Sequence, residues 1–165
     1  MFILGACFFA ACKSDPPYDS NTQLQIEVDS IQKKLTADEL VFTKTSEGLF
    51  YQIIDPGEAD SIAPILTDSV TIHFAGRFFF KPTVLYDSTR TNVDTLSTKF
   101  VLANAIRGWQ LGIPLIKHGG RIRLIVPSPL AYQNRVVSGA VVVPANSILD
   151  FEIRLIKVKK PVTTK

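Results

Sequence analysis

The stretch AIRGWQLG, residues 105–112, sets the chain's single tryptophan among glycines, with Gly108 before it and Gly112 three positions on. Around it, Ile106, Trp109, Ile113 and Ile116 recur at steps of three, four and three, the spacing of one helix face. Pro114 has no N–H to give to the preceding turn, so the spacing predicts a short helix that loses regularity near Ile113. So short a helix takes its stability from what it packs against. The two glycines predict that its backbone comes close to a neighbouring element, and Trp109 then points inward as the floor of a pocket.

The segments on either side have a period of two. LFYQII (49–54) opens a strand and DPGEAD (55–60) reads as a turn. SVTIHFAG (69–76) sets Val70, Ile72 and Phe74 on one side, and RIRLIV (121–126) does the same with Ile122, Leu124 and Val126. In ILDFEIRLIKV (148–158), Leu149, Phe151, Ile153 and Leu155 face inward while Asp150, Glu152 and Arg154 face water. The pattern predicts a mostly antiparallel sheet of the α+β class, with one face covered by the short helix. Further upstream, Leu24, Val28, Ile31 and Leu35 step by four, three and four, which predicts an amphipathic helix over 22–35. Its apolar face suits packing against the domain first, with a homodimer contact as the alternative. No internal repeat is present.

At 165 residues, 46% apolar and 20% charged, the chain supports one core. Its net charge of +3 is scattered, without a basic stripe interleaved with aromatics, which argues against nucleic-acid binding. MFILGACFFAAC (1–12) is apolar, too short to span a bilayer as a helix, and matches the apolar region of a secretory signal. The basic region that precedes such a segment is missing, which points to an upstream start codon. Phe9-Ala10-Ala11-Cys12 resembles the lipobox of bacterial lipoproteins, whose cysteine is lipidated; the alternative is an ordinary signal peptide with an incidental cysteine. No cysteine follows Cys12, so no disulfide framework competes for it. The organisation expected is a signal peptide (1–11), lipidated cysteine and tether (12–20), helix and lead-in (21–47), the main strand-rich domain (48–160) and tail (161–165). Lys13 after the cysteine weights the anchor towards the outer rather than the inner membrane.

VTIHFAG (70–76), YDST (86–89), FVLANAIRGWQLGIPLIKHGGRIRLIVPSPLAYQ (100–133) and VPANSILDFEIRLIKV (143–158) together resemble the FKBP-type peptidyl-prolyl isomerases, or immunophilins, over about residues 48–159. The resemblance implies a curled antiparallel sheet of five or six strands wrapped around one short helix. It implies cis-trans isomerisation of X–Pro bonds, here in exported proteins at the bacterial envelope, with no cofactor, and a pocket of the kind that binds macrolides.

Carried onto this sequence, the resemblance places Tyr86, Asp87, Ala105, Ile106, Trp109, Tyr132, Val143 and Phe151 around the substrate, with Phe74 at the edge. Trp109 would carry the proline ring, the Ile106 N–H and Tyr132 hydroxyl would donate to substrate carbonyls, and Asp87 would polarise the site. Read without these neighbours, Trp109 is an ordinary core residue, Asp87 a turn or cap residue and Tyr132 a buried structural tyrosine. Phe74 stands where the family usually has tyrosine, and Tyr86, in place of phenylalanine, would restore a hydroxyl near Asp87. Thr98 takes a place that is often aromatic, and Gln133 replaces a glycine. These departures keep open a second reading, a non-catalytic proline-peptide-binding or chaperone-like module. His73 and His118 read as structural or solvent-facing, and two histidines make no plausible zinc site.

Overall fold

The computed structural model describes residues 17–89 and 97–161. Cys12 and the apolar leader lie outside the described residues. Helix α1 spans Ser20–Ala37, two residues longer at each end than the apolar spacing predicts. Its start is set by Asp19, whose side chain accepts the Asn21 N–H at 3.0 Å, a cap that hydrophobic periodicity does not report.

Seven strands follow: β1 (Thr43–Lys44), β2 (Phe50–Asp55), β3 (Ser69–Phe78), β4 (Lys81–Ser88), β5 (Thr98–Val101), β6 (Arg121–Val126) and β7 (Leu149–Lys159). Helix α2, Arg107–Gly112, continues into a 3₁₀ turn at Ile113–Leu115, where Pro114 breaks the α pattern as its ring requires. The sheet order is β1-β2-β6-β7-β3-β4, every pair antiparallel, with β5 also on β3. The count exceeds the expected five or six for two reasons. A two-residue β1 extends one edge, and β3 shares its other edge between β5, opposite Ser69 to Ile72, and β4, opposite Ala75 to Phe78.

The inner face of the sheet carries the predicted alternation. Val70, Ile72, Ile122, Leu124, Leu149, Phe151, Ile153 and Leu155 are buried in one cluster with Trp109 and Ile113 of the helical segment. The glycines explain how the helix fits. A Cβ on Gly108 would lie 2.4 Å from Val126 Cγ1, and one on Gly112 would lie 2.6 Å from Leu124 Cδ1. Helix α2 therefore rests its backbone on the side chains of β6, and any residue larger than glycine would lift it off.

The outer face is covered too, which corrects the expectation of a single covered face. Phe50 and its register partner Ile125 pack there with Phe79 and Ile148 against Val28, Ile31 and Leu35 of α1. This burial spends the apolar face of α1 within its own domain. Asp150, expected to face water, is only 4% exposed for the same reason. It sits opposite Ile125 and takes a bidentate pair from Arg123, with Nε to Oδ1 at 3.0 Å and the second bond at 2.7 Å. Arg123 lies over the Phe42 ring at 5.5 Å, so this ion pair is roofed by the segment after α1.

Fully burying one large aliphatic side chain contributes roughly 1.5–3 kcal/mol, so Val28, Ile31 and Leu35 together rival the 5–15 kcal/mol of a whole domain. Deleting residues 1–37 should therefore abolish the cooperative thermal transition. An unchanged melting temperature for the shortened chain would show that α1 is an appendage.

Candidate active site

Four aromatic rings build the floor. Trp109 from α2 meets Phe74 of β3 edge-on at 5.1 Å and 69°, and Phe151 of β7 at 5.1 Å and 77°. Phe100 of β5 leans against it at 5.6 Å and 32°. These strands are brought together by register, since Phe74 lies opposite Ile153 and Phe100 opposite Val70, all inward positions. Edge-to-face pairs are favoured by the ring quadrupole, which fixes the indole's tilt as well as its burial.

Above the floor opens a cavity of about 310 Å³ lined by Phe100, Asn104, Ala105, Ile106, Trp109 and Tyr132. Its lip is held by Gln110, whose Nε2 donates to Ala103 O at 2.9 Å and to Ala105 O at 2.8 Å. The Ile106 carbonyl accepts from Trp109 N and Gln110 N at 2.9 and 3.2 Å, making Ile106 the N-cap of α2. Among the described residues no acceptor takes the Ile106 N–H, and no partner takes the Tyr132 hydroxyl. Two donors therefore stand free beside an aromatic floor. Burial, with the charge of Asp87 nearby, pushes the Tyr132 hydroxyl above the ordinary tyrosine range, so it stays a neutral donor at neutral pH.

Tyr86 reaches the site through a β-bulge. Gly76 pairs with Asp87 while Arg77 pairs with Leu85, leaving Tyr86 as the extra residue between them. Its ring lies against Gly76, where a Cβ would come within 2.9 Å of Cζ, and packs edge-on to Phe151 at 6.0 Å. The hydroxyl is buried without a partner among the described residues. It lies near enough to Asp87 to feel its charge and makes no hydrogen bond to it among the described residues. Burial first, then Tyr132 and Asp87, drives its pKa far above the ordinary tyrosine value. Asp87 is exposed, close enough to act on both tyrosines through its charge.

Eight of the nine expected residues gather at one place in two layers, with Asp87 in neither of them and exposed to solvent. Ala105, Ile106, Trp109 and Tyr132 line the cavity, while Phe74, Tyr86, Val143 and Phe151 belong to the cluster around it. Val143 is pinned by reciprocal backbone bonds with Val137 at 2.9 and 3.0 Å. Sequence reasoning missed Phe100 and Asn104. Phe100 had a readable signal, being the aromatic of TKFV two positions after Thr98, on the same face of β5. It supplies the wall that Thr98, opposite Ile72, does not. Neither histidine lines the cavity; His118 Nδ1 lies 2.9 Å from Glu58 Oε1. A second groove of about 720 Å³ shares Asn104, Ala105, Ile106 and Tyr132 and runs on past Arg107 and Arg135.

Gln133, directly after Tyr132, has φ +59°, the left-handed region that suits glycine. Its N–H donates to Ser128 O at 2.8 Å and its carbonyl accepts from Asn146 N at 2.9 Å, so the turn is fixed despite the strain. That conformation costs a side-chain-bearing residue roughly 1–2 kcal/mol, against about 0.5–1 kcal/mol for the freer unfolded chain of a glycine variant. Gln133→Gly should therefore raise the melting temperature by roughly 1–4 °C and Gln133→Val should lower it, as calorimetry would show.

Comparison with known proteins agrees with this geometry. Residues 61–156 match the family described as FKBP-type peptidyl-prolyl cis-trans isomerase. The chain is 36% identical over 115 residues to the FKBP-type peptidyl-prolyl cis-trans isomerase FkpA of Escherichia coli, covering 70% of this chain and 39% of that one. It is 33% identical over 105 residues to FK506-binding protein 1 of Saccharomyces cerevisiae, covering 64% of this chain and 88% of that one. The crystal structure of FkpA from Escherichia coli superposes with a TM-score of 0.69 at 30% identity, covering 86% of this chain and 62% of that one. This chain therefore spans about two-fifths of the length of the bacterial relative. With the fold, the aromatic floor and the matched span in agreement, the chain belongs to the FKBP-type peptidyl-prolyl cis-trans isomerase family.

Proposed function

We propose that this protein isomerises X–Pro bonds in exported proteins at the envelope of a bacterium, held there by lipid on Cys12. The observation that carries the catalytic part is the cavity over Trp109, with the Ile106 N–H and Tyr132 hydroxyl unclaimed at its rim. An X–Pro amide has a rotation barrier of about 18–20 kcal/mol, and crossing it breaks no covalent bond. The planar amide is polar, and the twisted transition state has lost much of that charge separation. A dry aromatic pocket disfavours the planar form relative to the twisted one, which is selective binding of the transition state. In this arrangement the proline ring rests on Trp109 and the two donors hold flanking carbonyls. Asp87 contributes a charge near the twisting bond, and the groove past Arg107 and Arg135 gives the adjoining chain a path out.

The rival, a proline-peptide-binding or chaperone-like module, draws on one specific observation. With phenylalanine at position 74 and the Tyr86 hydroxyl without a hydrogen-bond partner among the described residues, neither position supplies a hydroxyl bonded to Asp87. A protease-coupled or NMR exchange assay on a short X–Pro peptide separates the two. Each polar contact contributes about 0.5–1.5 kcal/mol, so Asp87→Ala and Tyr132→Phe should each slow isomerisation roughly 2- to 10-fold without abolishing it. Trp109→Leu should weaken peptide binding and also destabilise the fold, so melts must accompany the kinetics. A folded wild type that binds proline peptides yet leaves their isomerisation at background would replace the enzyme with the binder.

The envelope part rests on the sequence of residues 1–12 and has its own test. Cys12→Ser should move the protein from the membrane fraction to the soluble fraction after cell breakage. Wild type already soluble under those conditions would remove the anchor.

A further inference from the structure

We propose that Glu27, on the N-terminal helix, is a positioning residue for Tyr132. It lies outside the span 61–156 that the family matches, and the residue is only 4% exposed. It accepts the Ser128 N–H at 2.6 Å, the Ser128 hydroxyl at 2.7 Å and Gln23 Nε2 at 2.6 Å. Ser128 opens the 3₁₀ turn Ser128–Leu130 that leads into Tyr132. The Ser128 carbonyl in turn accepts from Ala131 N at 2.9 Å and Gln133 N at 2.8 Å, the residues on either side of Tyr132. Ser128 is thus the fixed point of the turn, and Glu27 holds Ser128 from the opposite layer of the protein.

A packing role alone does not account for a carboxylate here. Burying a charge is costly, and apolar residues such as Ile31 and Leu35 already fasten α1 to the sheet. An acceptor-only group with two oxygens does something apolar side chains cannot. It takes the backbone donor and the hydroxyl of one serine together, which fixes that residue's rotamer and the start of its turn. Donors at a reaction site must be held within fractions of an ångström to act, and Tyr132 sits on a turn rather than on a strand. Helix α1 is in this sense a part of the isomerase site and not only its neighbour.

The inference rests on the isomerase reading, and the test keeps the two apart. In the full-length chain, Glu27→Ala and Ser128→Ala should each lower kcat/KM by roughly 2- to 10-fold, and by no more than Tyr132→Phe does. If Glu27 acts through Tyr132, its loss should disappear when Glu27→Ala is made in the Tyr132→Phe background. Glu27→Gln, which keeps an acceptor oxygen, should recover most of the rate and covers the case in which Glu27→Ala does not fold. Equal, additive losses in both backgrounds, or full activity of a folded Glu27→Ala, would overturn the positioning role. Absence of turnover in the wild type would remove the isomerase reading and this inference together.

Discussion

The constraint on which the site depends is the contact of a helix backbone with two strand side chains. Gly108 and Gly112 admit Val126 and Leu124 to within a distance that no Cβ allows, and the depth of α2 follows from that. Depth in turn sets where the indole of Trp109 lies relative to Phe74, Phe100 and Phe151. One layer higher, the same helix presents Ile106 as its cap and Gln110 as the clamp on the lip of the cavity. Packing and chemistry share one set of atoms here, so a change that lifts the helix would alter floor, rim and donor together.

The reaction proposed for this site makes and breaks no covalent bond, which puts weight on such placement. The groups that matter are a flat apolar surface and a few donors, and each contributes by where it is held. Burial and the nearby charge of Asp87 raise both tyrosine hydroxyls above the ordinary tyrosine range, so both stay neutral donors. The outer layer matters for the same reason. Helix α1 packs behind the sheet on Phe50, Phe79, Ile125 and Ile148, and the roofed Arg123–Asp150 pair ties β6 to β7, the strand that carries Phe151 in front.

How far the sequence foretold this depended on the kind of signal each feature leaves. Period-two runs gave β3, β6 and β7 with their inward residues, because a strand's faces alternate along the chain itself. The spacing of Ile106, Trp109 and Ile113, with Pro114 after them, gave α2 and its ending. What stayed hidden depends on pairs distant in sequence. The bulge at Tyr86 is a property of register between β3 and β4, and Gly76 beneath it looks like any strand glycine. Asp150 reads as a surface residue until α1 and Phe42 are seen to close over that face. Glu27 looks like the polar side of an amphipathic helix, and its partner Ser128 is 101 positions away. Phe100 was legible in principle; its strand is four residues long, too short for alternation to stand out.

One junction in the sheet bears on what the protein meets in its surroundings. Between β5 and β4, the edge of β3 would stand open at Phe74, directly beside the aromatic floor. Thr89 closes it: its hydroxyl accepts the Phe74 N–H at 2.8 Å, and its own N–H reaches Phe74 O at 3.0 Å. The outermost strands are blunt as well, with Lys81 and Pro82 on β4 and only two residues in β1. Unpaired strand edges capture extended chains by extending the ladder and so seed aggregates. At Phe74, beside the aromatic floor, the backbone donor and acceptor are thus already taken, and what remains to rest against is side chains. A chain laid across the floor at this point has no free backbone pair of β3 from which a ladder could be extended.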